Sequence, residues 1–419
     1  MKVKEIVTKN KGYKYRLTEL TESQKEYLNK AFGCSRKMYN EYVATLYEHL
    51  ESIDFENGYL PKIKFDTPAA IKKKFPYMKE IDSLAFCNAQ INFNNAIKKY
   101  NKEYSYKKQY TKRALKRSKT LGIEPTFRDL KGMPSFKSKK DGSFSFTTNN
   151  QTSKNGVDSI KVEENMVKIP KLKTPLKFIK HRELPQNAII KSATLSKDSR
   201  EKYYISFIIE YEVGVEYIDL SKKDLKILGL DYAQQDFYVD SEGERANYPK
   251  FYRKMEKKLI YEQKKLSRKV TYSNRWWKQK RKVSIISEKI ANQRKDWLHK
   301  ISYRIANEYD VVVLEDLDLR NLAQCLSLGK NLHDNGFGNF RTYLNYKLDD
   351  RGKLLLKTPK SFPSSKMCSA CGSVKEELGL DERIYICDSC GVSICRDKNA
   401  AKNLVIEGTR IISEMNNVA

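Results

Sequence analysis

Histidine is scarce in this 419-residue sequence: there are four, at positions 49, 181, 299 and 333, and none is close to another. That scarcity argues against a histidine general base or a histidine-rich metal site. Long apolar runs are missing too. No stretch approaches the ~20 residues needed to span a bilayer, and Met1-Lys-Val-Lys-Glu has no signal-peptide core, so a cytosolic protein without a membrane partner is expected. Acidic residues are outnumbered, 52 against 81 Lys and Arg, for a formal net charge of +29. A balance that basic points to a polyanionic partner, most often nucleic acid. Disulfide-like spacing is also absent: of eight cysteines, Cys34, Cys87, Cys325 and Cys395 are scattered, which fits a reducing compartment. There is no internal repeat and no low-complexity tail.

The other four cysteines are concentrated. Cys368-Ser-Ala-Cys371 and Cys387-Asp-Ser-Cys390 follow C-x2-C-x15-C-x2-C, and each pair on a tight turn can aim two thiolates at one tetrahedral Zn²⁺. Directly behind them comes Arg396-Asp397-Lys-Asn399-Ala-Ala, opening a helix-like run to Met415.

In chain order, residues 1–20 read as a short strand pair, with Val3, Ile6 and Val7 on one side of Asn10-Lys-Gly12 and Tyr13, Tyr15 and Leu17 on the other. Thr21-Glu-Ser-Gln24 has the form of a helix capping box, and a second helical region is expected from about Asp82 to Arg117. Between Lys98 and Lys140 there are fifteen Lys and Arg against three acids, interleaved with Tyr100, Tyr104, Tyr106, Tyr110, Phe127 and Phe136. Cations for phosphates and rings for unstacked bases suit a nucleic-acid surface, although any single lysine there fits a solvated helix face better than a specific contact. Short strand-like runs between 144 and 217 predict a small barrel, completed by the N-terminal strands, with the helical block as an insertion. Two basic helices, Phe251 to about Arg268 and about Arg275 to Asn307, are predicted to pack side by side through Val283, Ile286, Ile290 and Trp297.

Two apolar runs end in an acid. Leu225-Lys-Ile-Leu-Gly-Leu230 leads to Asp231, and Val311-Val-Val-Leu314 leads to Glu315, the pattern of strands buried in a sheet. A further strand is expected at Leu354-Leu-Leu-Lys-Thr, and a hairpin at Asp236–Gly243. Strand ends on one edge of an α/β sheet converge, so Asp231, Glu315 and Asp397 could share a site. Three acids that close require cations, and an oxygen-rich set suits Mg²⁺ or Mn²⁺, which can work in pairs on a phosphodiester. Asp236, Asp240, Asp316 and Asp318 have similar local settings, and an acid after a strand, taken alone, is more often a loop-capping group than a ligand.

Across nearly its full length the sequence resembles the TnpB family of transposon-encoded RNA-guided DNA endonucleases, kin to miniature type V CRISPR effectors. The resemblance is carried by Gln24–Cys34, Pro134-Ser-Phe-Lys-Ser-Lys, Leu228-Gly-Leu-Asp231, Lys289–Asp296, Val313-Leu-Glu315-Asp-Leu, Phe362-Pro-Ser-Ser-Lys366 and Cys368–Asn403. It implies a multidomain α+β chain: a wedge-type β-barrel (1–17 and 121–220), an inserted helical recognition domain (18–120), a RuvC-like nuclease of the RNase H fold (221–366 and 393–419) and a four-cysteine zinc ribbon inserted at 367–392. It further implies that Asp231, Glu315 and Asp397 are the catalytic, Mg²⁺-binding acids and that Cys368, Cys371, Cys387 and Cys390 bind zinc. A guide RNA and a double-stranded DNA target are the implied partners, in a bacterial cytoplasm and with a monomer favoured.

By the same resemblance a short motif beside the target is read by the helical domain and barrel, for which Tyr39, Asn88, Thr148 and Asn149 are candidates, since amides and hydroxyls can address base edges. Two positions depart from the family pattern. Ala233 stands where a second glycine is common after the first acid, and Cys395 where an aspartate often precedes the third; the latter is either a fifth thiol near the zinc or a packed small residue. Alternatives of similar build are a type V CRISPR effector with the same chemistry and a nuclease-inactive RNA-guided repressor. A zinc-ribbon RNA-binding protein whose acids are structural is a third.

Overall fold

The computed structural model describes residues 4–53, 59–107, 109–142, 144–319, 321–322, 334–379 and 382–418. Val3, Cys325 and His333, which figure in the sequence reading, lie outside them. The chain divides into two compact units, residues 8–212 and residues 1–7 with 213–419.

In the first unit, helices α1 (Glu22–Ser52), α2 (Pro68–Lys74), α3 (Ser83–Glu103) and α4 (Lys112–Leu121) accompany a seven-stranded sheet. Its strands are β1 (Lys4–Thr18), β2 (Phe144–Asn149), β3 (Lys161–Glu163), β4 (Met166–Lys168), β5 (Leu176–Ile179), β6 (Ile189–Lys197) and β7 (Tyr203–Glu216). The hydrogen-bonded order is β2-β6-β7-β1-β5-β4-β3, so the small barrel expected from sequence takes the form of a sheet with β2 and β3 at its ends. The capping box forms as expected: Gln24 N donates to Thr21 Oγ1 at 3.3 Å and Thr21 N to Gln24 Oε1 at 2.9 Å. Leu28, Phe32, Met38, Tyr42 and Leu46 of α1 and Phe86 and Phe93 of α3 are buried in one core with Tyr15, Phe146, Ile205 and Phe207 of the sheet.

Two expectations are corrected. The N-terminal strand pair is one continuous strand, β1, that buries alternate residues Tyr13, Tyr15 and Leu17. Lys11 separates the asparagine from the glycine, and none of the three residues takes the positive φ that a tight hairpin turn needs. The helix expected over Asp82–Arg117 is broken between α3 and α4. Ser105 Oγ donates to Asn101 O at 2.6 Å at the end of α3, and Thr111 caps α4 by accepting from Ala114 N at 3.3 Å.

The second unit has a four-stranded sheet in the order β11-β10-β8-β9, from β8 (Ile227–Asp231), β9 (Val239–Asp240), β10 (Val311–Glu315) and β11 (Leu354–Thr358). β8, β10 and β11 are parallel, and β9 is antiparallel to β8. The expected hairpin is present in short form, Val239 pairing antiparallel with Arg245 around a turn in which Asp240 Oδ1 accepts from Glu242 N and Glu244 N at 3.1 and 2.8 Å. The helices are α5 (Phe251–Ser267), α6 (Asn274–Glu308), α7 (Phe337–Asp349) and α8 (Arg396–Val418), and a hairpin of β12 (Ile384–Ile386) and β13 (Ser393–Cys395) precedes α8. Strand β10 shows why its sequence is apolar throughout. Val312 and Leu314 join the core with α6 and α7, Val311 and Val313 the core with Leu404 and Ile412 of α8. The predicted seam between the basic helices is present as Leu259 against Ile286 and Ile290, with Val283 beside them, whereas Trp297 turns to Phe237 and Tyr248.

Candidate active site and four-thiol module

Strand register sets two of the three acids side by side. Leu230 pairs with Leu314 in the parallel β8–β10 ladder, and the next residues are Asp231 and Glu315, on strands about 4.8 Å apart. The third acid comes from α8, which lies close across the same strands. A Cβ at Gly229 would stand 2.0 Å from Ala401 O, and one at Gly408 2.4 Å from Val313 Cγ2, so bare backbone at both positions lets the helix approach. Asp397, in the first turn of α8, is thereby brought to the ends of β8 and β10.

The electrostatics of Asp231 register the gathering. Its pKa is raised well above the ordinary aspartate value, first by burial, then by the charges of Glu315 and Asp397; Arg396 and a backbone hydrogen bond at Tyr232 oppose the shift. A buried carboxyl group within electrostatic reach of two others resists ionisation unless a cation arrives. Carboxylates are the donor type a hard divalent cation takes, but among the described residues the group whose ligand atoms all lie within 4.8 Å of one another is the four cysteines, and the three acids do not form such a group. The decoy acids are occupied elsewhere. Asp236 pairs with Arg245, Asp316 with Lys357 at 2.9 Å, Asp318 accepts from Asn321 N at 3.2 Å, and Asp240 closes its own turn.

Glu315 is held by Ser364, whose buried hydroxyl donates to Oε1. Ser364 is held in turn. Asn403 Nδ2 donates to Ser364 O at 2.7 Å and to Met367 O at 2.6 Å; Asn399, one turn earlier on α8, donates to Met367 O at 2.6 Å and accepts from Ser369 N at 2.9 Å. Both asparagines are fully buried.

The four sulfurs of Cys368, Cys371, Cys387 and Cys390 lie within 4.8 Å of one another. Cys368 Sγ is 3.7 Å from Cys390 Sγ, and Cys371 Sγ 3.6 Å from Cys387 Sγ. Tetrahedral Zn–S bonds of about 2.3 Å imply sulfur separations of roughly 3.8 Å, so the set fits one zinc ion. The two halves are built alike. Gly372 N donates to Cys368 O and Gly391 N to Cys387 O, at 2.9 and 3.0 Å, each glycine at positive φ. Cys395 is not in the cluster. It ends β13, where Arg245 Nη2 donates to its sulfur at 3.8 Å.

Three family models match the chain: one described as "Probable transposase" over residues 209–326, a "Cas12f1-like, TNB domain" over 337–404, and a "Helix-turn-helix domain" over 9–52, where the structure has part of β1 and the single helix α1. A protein of Streptomyces pristinaespiralis named "Putative RNA-guided DNA endonuclease" is 28% identical over 95% of this chain and 89% of its own length. The mimivirus protein "TnpB-like protein L79" is 27% identical over 54% of this chain and 45% of its own. The chain is similar to proteins of the TnpB family. Its fold is similar to that solved in a Cas12f1–sgRNA–target DNA complex, with a TM-score of 0.51 at 12% identity, covering 95% of this chain and 99% of the other.

The four candidates for base contacts all lie in the first unit. Tyr39 is buried on α1, edge-on to Phe93, with the Lys137 ammonium 3.8 Å from its ring centroid. Thr148 is buried as well, and its hydroxyl donates to Asp82. Asn88 Nδ2 reaches Thr147 O at 3.1 Å and Asn149 Oδ1 at 3.3 Å. Asn88 also lines a groove with Arg36, Asn92, Lys137 and Thr147, in which Arg36 Nη1 and Ser35 Oγ have no hydrogen-bond partner among the described residues. Burial lowers the pKa of both Arg36 and Lys137. Sequence reasoning missed Ser364, Asn399, Asn403 and Gly229 as supports of the acid site. The signals were present, in Phe362-Pro-Ser-Ser and in the one-turn spacing of the two asparagines.

Proposed function

We propose that this chain is an RNA-guided DNA endonuclease in which Asp231, Glu315 and Asp397 hold Mg²⁺ or Mn²⁺ in a RuvC-like nuclease of the RNase H fold. The convergence of these three carboxylates at one edge of a parallel sheet, read in the burial- and charge-driven shift of Asp231, carries the proposal. Two bound ions would activate a water and stabilise the leaving oxygen of a phosphodiester. The chain's own part is positioning: β8 and β10 fix two acids in register, α8 delivers the third, and Ser364 aims Glu315. Held by zinc, the four-cysteine module fixes the start of α8 through β13 and Asn399. A guide RNA supplies the sequence information, which leaves the basic surface to grip backbone phosphates. In the first unit, the groove at Arg36, Asn88 and Lys137, with Asn149 behind it, is the place where the motif beside a double-stranded target is read.

The test is cleavage of a plasmid matched to the RNA that copurifies with the chain. Cutting in Mg²⁺, absent without the RNA and abolished by Asp231→Ala, is the expected result. Undiminished cutting by Asp231→Ala would refute it.

A further inference from the structure

The seam between α5 and α6 ends at Gln279, a buried residue whose Nε2 donates to Glu262 O at 3.0 Å and to its carboxylate at 2.6 Å. Past that clamp, at the tip of the hairpin, stand Tyr272, Trp276 and Trp277. Their ring centroids are 4.8 to 6.1 Å apart, and the two indoles meet edge to face at 85°. None of the three belongs to an apolar core. Trp277 is 40% and Tyr272 46% exposed, with Val270 beside them at 79%. Lys280 Nζ lies 4.8 and 5.0 Å from the two indole centroids. From Gln263 to Ser287 the sequence has nine Lys and Arg and no acid.

Large aromatic faces left in water cost solvation free energy, and here they are set in a dense run of positive charge. Their complement is a polyanion that carries flat, stackable rings, which is an unpaired stretch of nucleic acid. We propose that this tip stacks an unpaired base of an RNA on Trp277, with the surrounding lysines and arginines on its phosphates. This rests on the reading of the chain as RNA-guided. RNA is favoured over the strand being cut by distance. Trp277 is twenty residues, about 30 Å, along α6 from Trp297, which packs on Phe237 next to β9 and the acid-bearing β8. The nucleotide engaged at the acids is therefore not the one at the tip, and the looped regions of a folded RNA present splayed bases to aromatic side chains.

Tryptophan emission tests this, because the chain has three tryptophans and two are at the tip. Full-length Trp297→Phe protein is titrated at moderate salt with an unstructured RNA of about 15 nucleotides, a blunt RNA duplex of equal charge, a DNA single strand of equal length and vesicles containing phosphatidylglycerol. Single-stranded RNA should quench the emission most, while the duplex binds with little quenching. In otherwise native protein, Trp276→Ala/Trp277→Ala should weaken single-stranded RNA binding by about fivefold or more. An unchanged affinity in that double variant, with its fold verified by circular dichroism, would overturn the proposal. So would equal quenching by DNA, or a response to vesicles alone. If the parent chain binds no RNA at all, it is the RNA-guided reading that fails.

Discussion

Gly229→Ala tests whether the close approach of α8 to β8 positions the acid site. The added Cβ would lie 2.0 Å from Ala401 O, against 3.4 Å for the start of ordinary contact, so helix and strand must separate by about 1.4 Å. The obstacle is a backbone carbonyl, which no side-chain rotation can relieve. Overpacking of this kind costs about 1–3 kcal/mol, or roughly 2–12 °C of melting temperature for a unit of this size. Asp397 is one helical turn before Ala401 and moves with it, and a misplacement of about 1 Å at a reacting centre costs on the order of 100-fold in rate. The assay is single-turnover cleavage of a guide-matched plasmid, with calorimetry for stability. Gly408→Ala is the control. Its Cβ would press Val313 Cγ2 at 2.4 Å, eleven residues or about 16 Å beyond Asp397, so it should lose similar stability and much less cleavage. Parent-like melting and cutting in Gly229→Ala, or equal loss of cleavage in both variants, would refute the reasoning.

Ser364→Ala removes the hydroxyl that donates to Glu315, and a support of that kind is worth about 10- to 100-fold in activity or metal affinity; Mg²⁺-dependence curves of cleavage measure it, and an unchanged midpoint and rate would count against the role. Cys371→Ser should lower bound zinc from one ion per chain and melt the β12–β13 hairpin, seen by metal analysis and hydrogen exchange; full zinc content would contradict the four-thiol site. Asp231 sets a pH dependence. Its folded pKa is above the unfolded value, so the folded chain binds the proton more tightly, and the stability this gives is full below the unfolded pKa of about 4 and lost as pH rises toward the folded value. Without added divalent cations, Asp231→Asn should therefore gain thermal stability relative to the parent as pH rises through that window while losing cleavage. A melting difference that does not change with pH would argue against the carboxylate crowding.

How much of this was legible in the sequence differed by element, for physical reasons. The buried strands β8 and β10 announced themselves because a strand covered on both faces needs unbroken apolar sequence, and the acid that ends each run is a sharp boundary. The cysteine pairs were equally plain, since tetrahedral zinc leaves few spacings. By contrast, Asn10-Lys-Gly12 imitates a turn, and only the pairing partners of β1 decide that the chain runs straight through it. The long charged helix was misjudged because Ser105 and Thr111 can either continue a helix or cap one, and local hydrogen bonds settle the matter. Thr148 was chosen for its hydroxyl, but the sequence carries no sign that Asp82, sixty-six residues away, engages it.

Among Asp231, Glu315 and Asp397 the chain separations exceed eighty residues, yet a single helix reconciles them. On α8, Asp397 lies within electrostatic reach of Asp231, Asn399 and Asn403 hold the backbone of 364–369, and Ala401 and Gly408 lie against β8 and β10. Two routes therefore fix the third acid: the bare glycine of the Leu-Gly-Leu-Asp run, which sets how close the helix comes, and the four-thiol hairpin, which sets where the helix begins. Ser364 joins them, since one face of its peptide receives Asn403 and its hydroxyl holds Glu315. Loosening the thiol module should therefore disturb Glu315 as well as Asp397, even though no cysteine belongs to the acid pocket. On the proposed reading, the seven-residue step from the last cysteine to the third acid makes the module a clamp on the first turn of the helix that would complete the site.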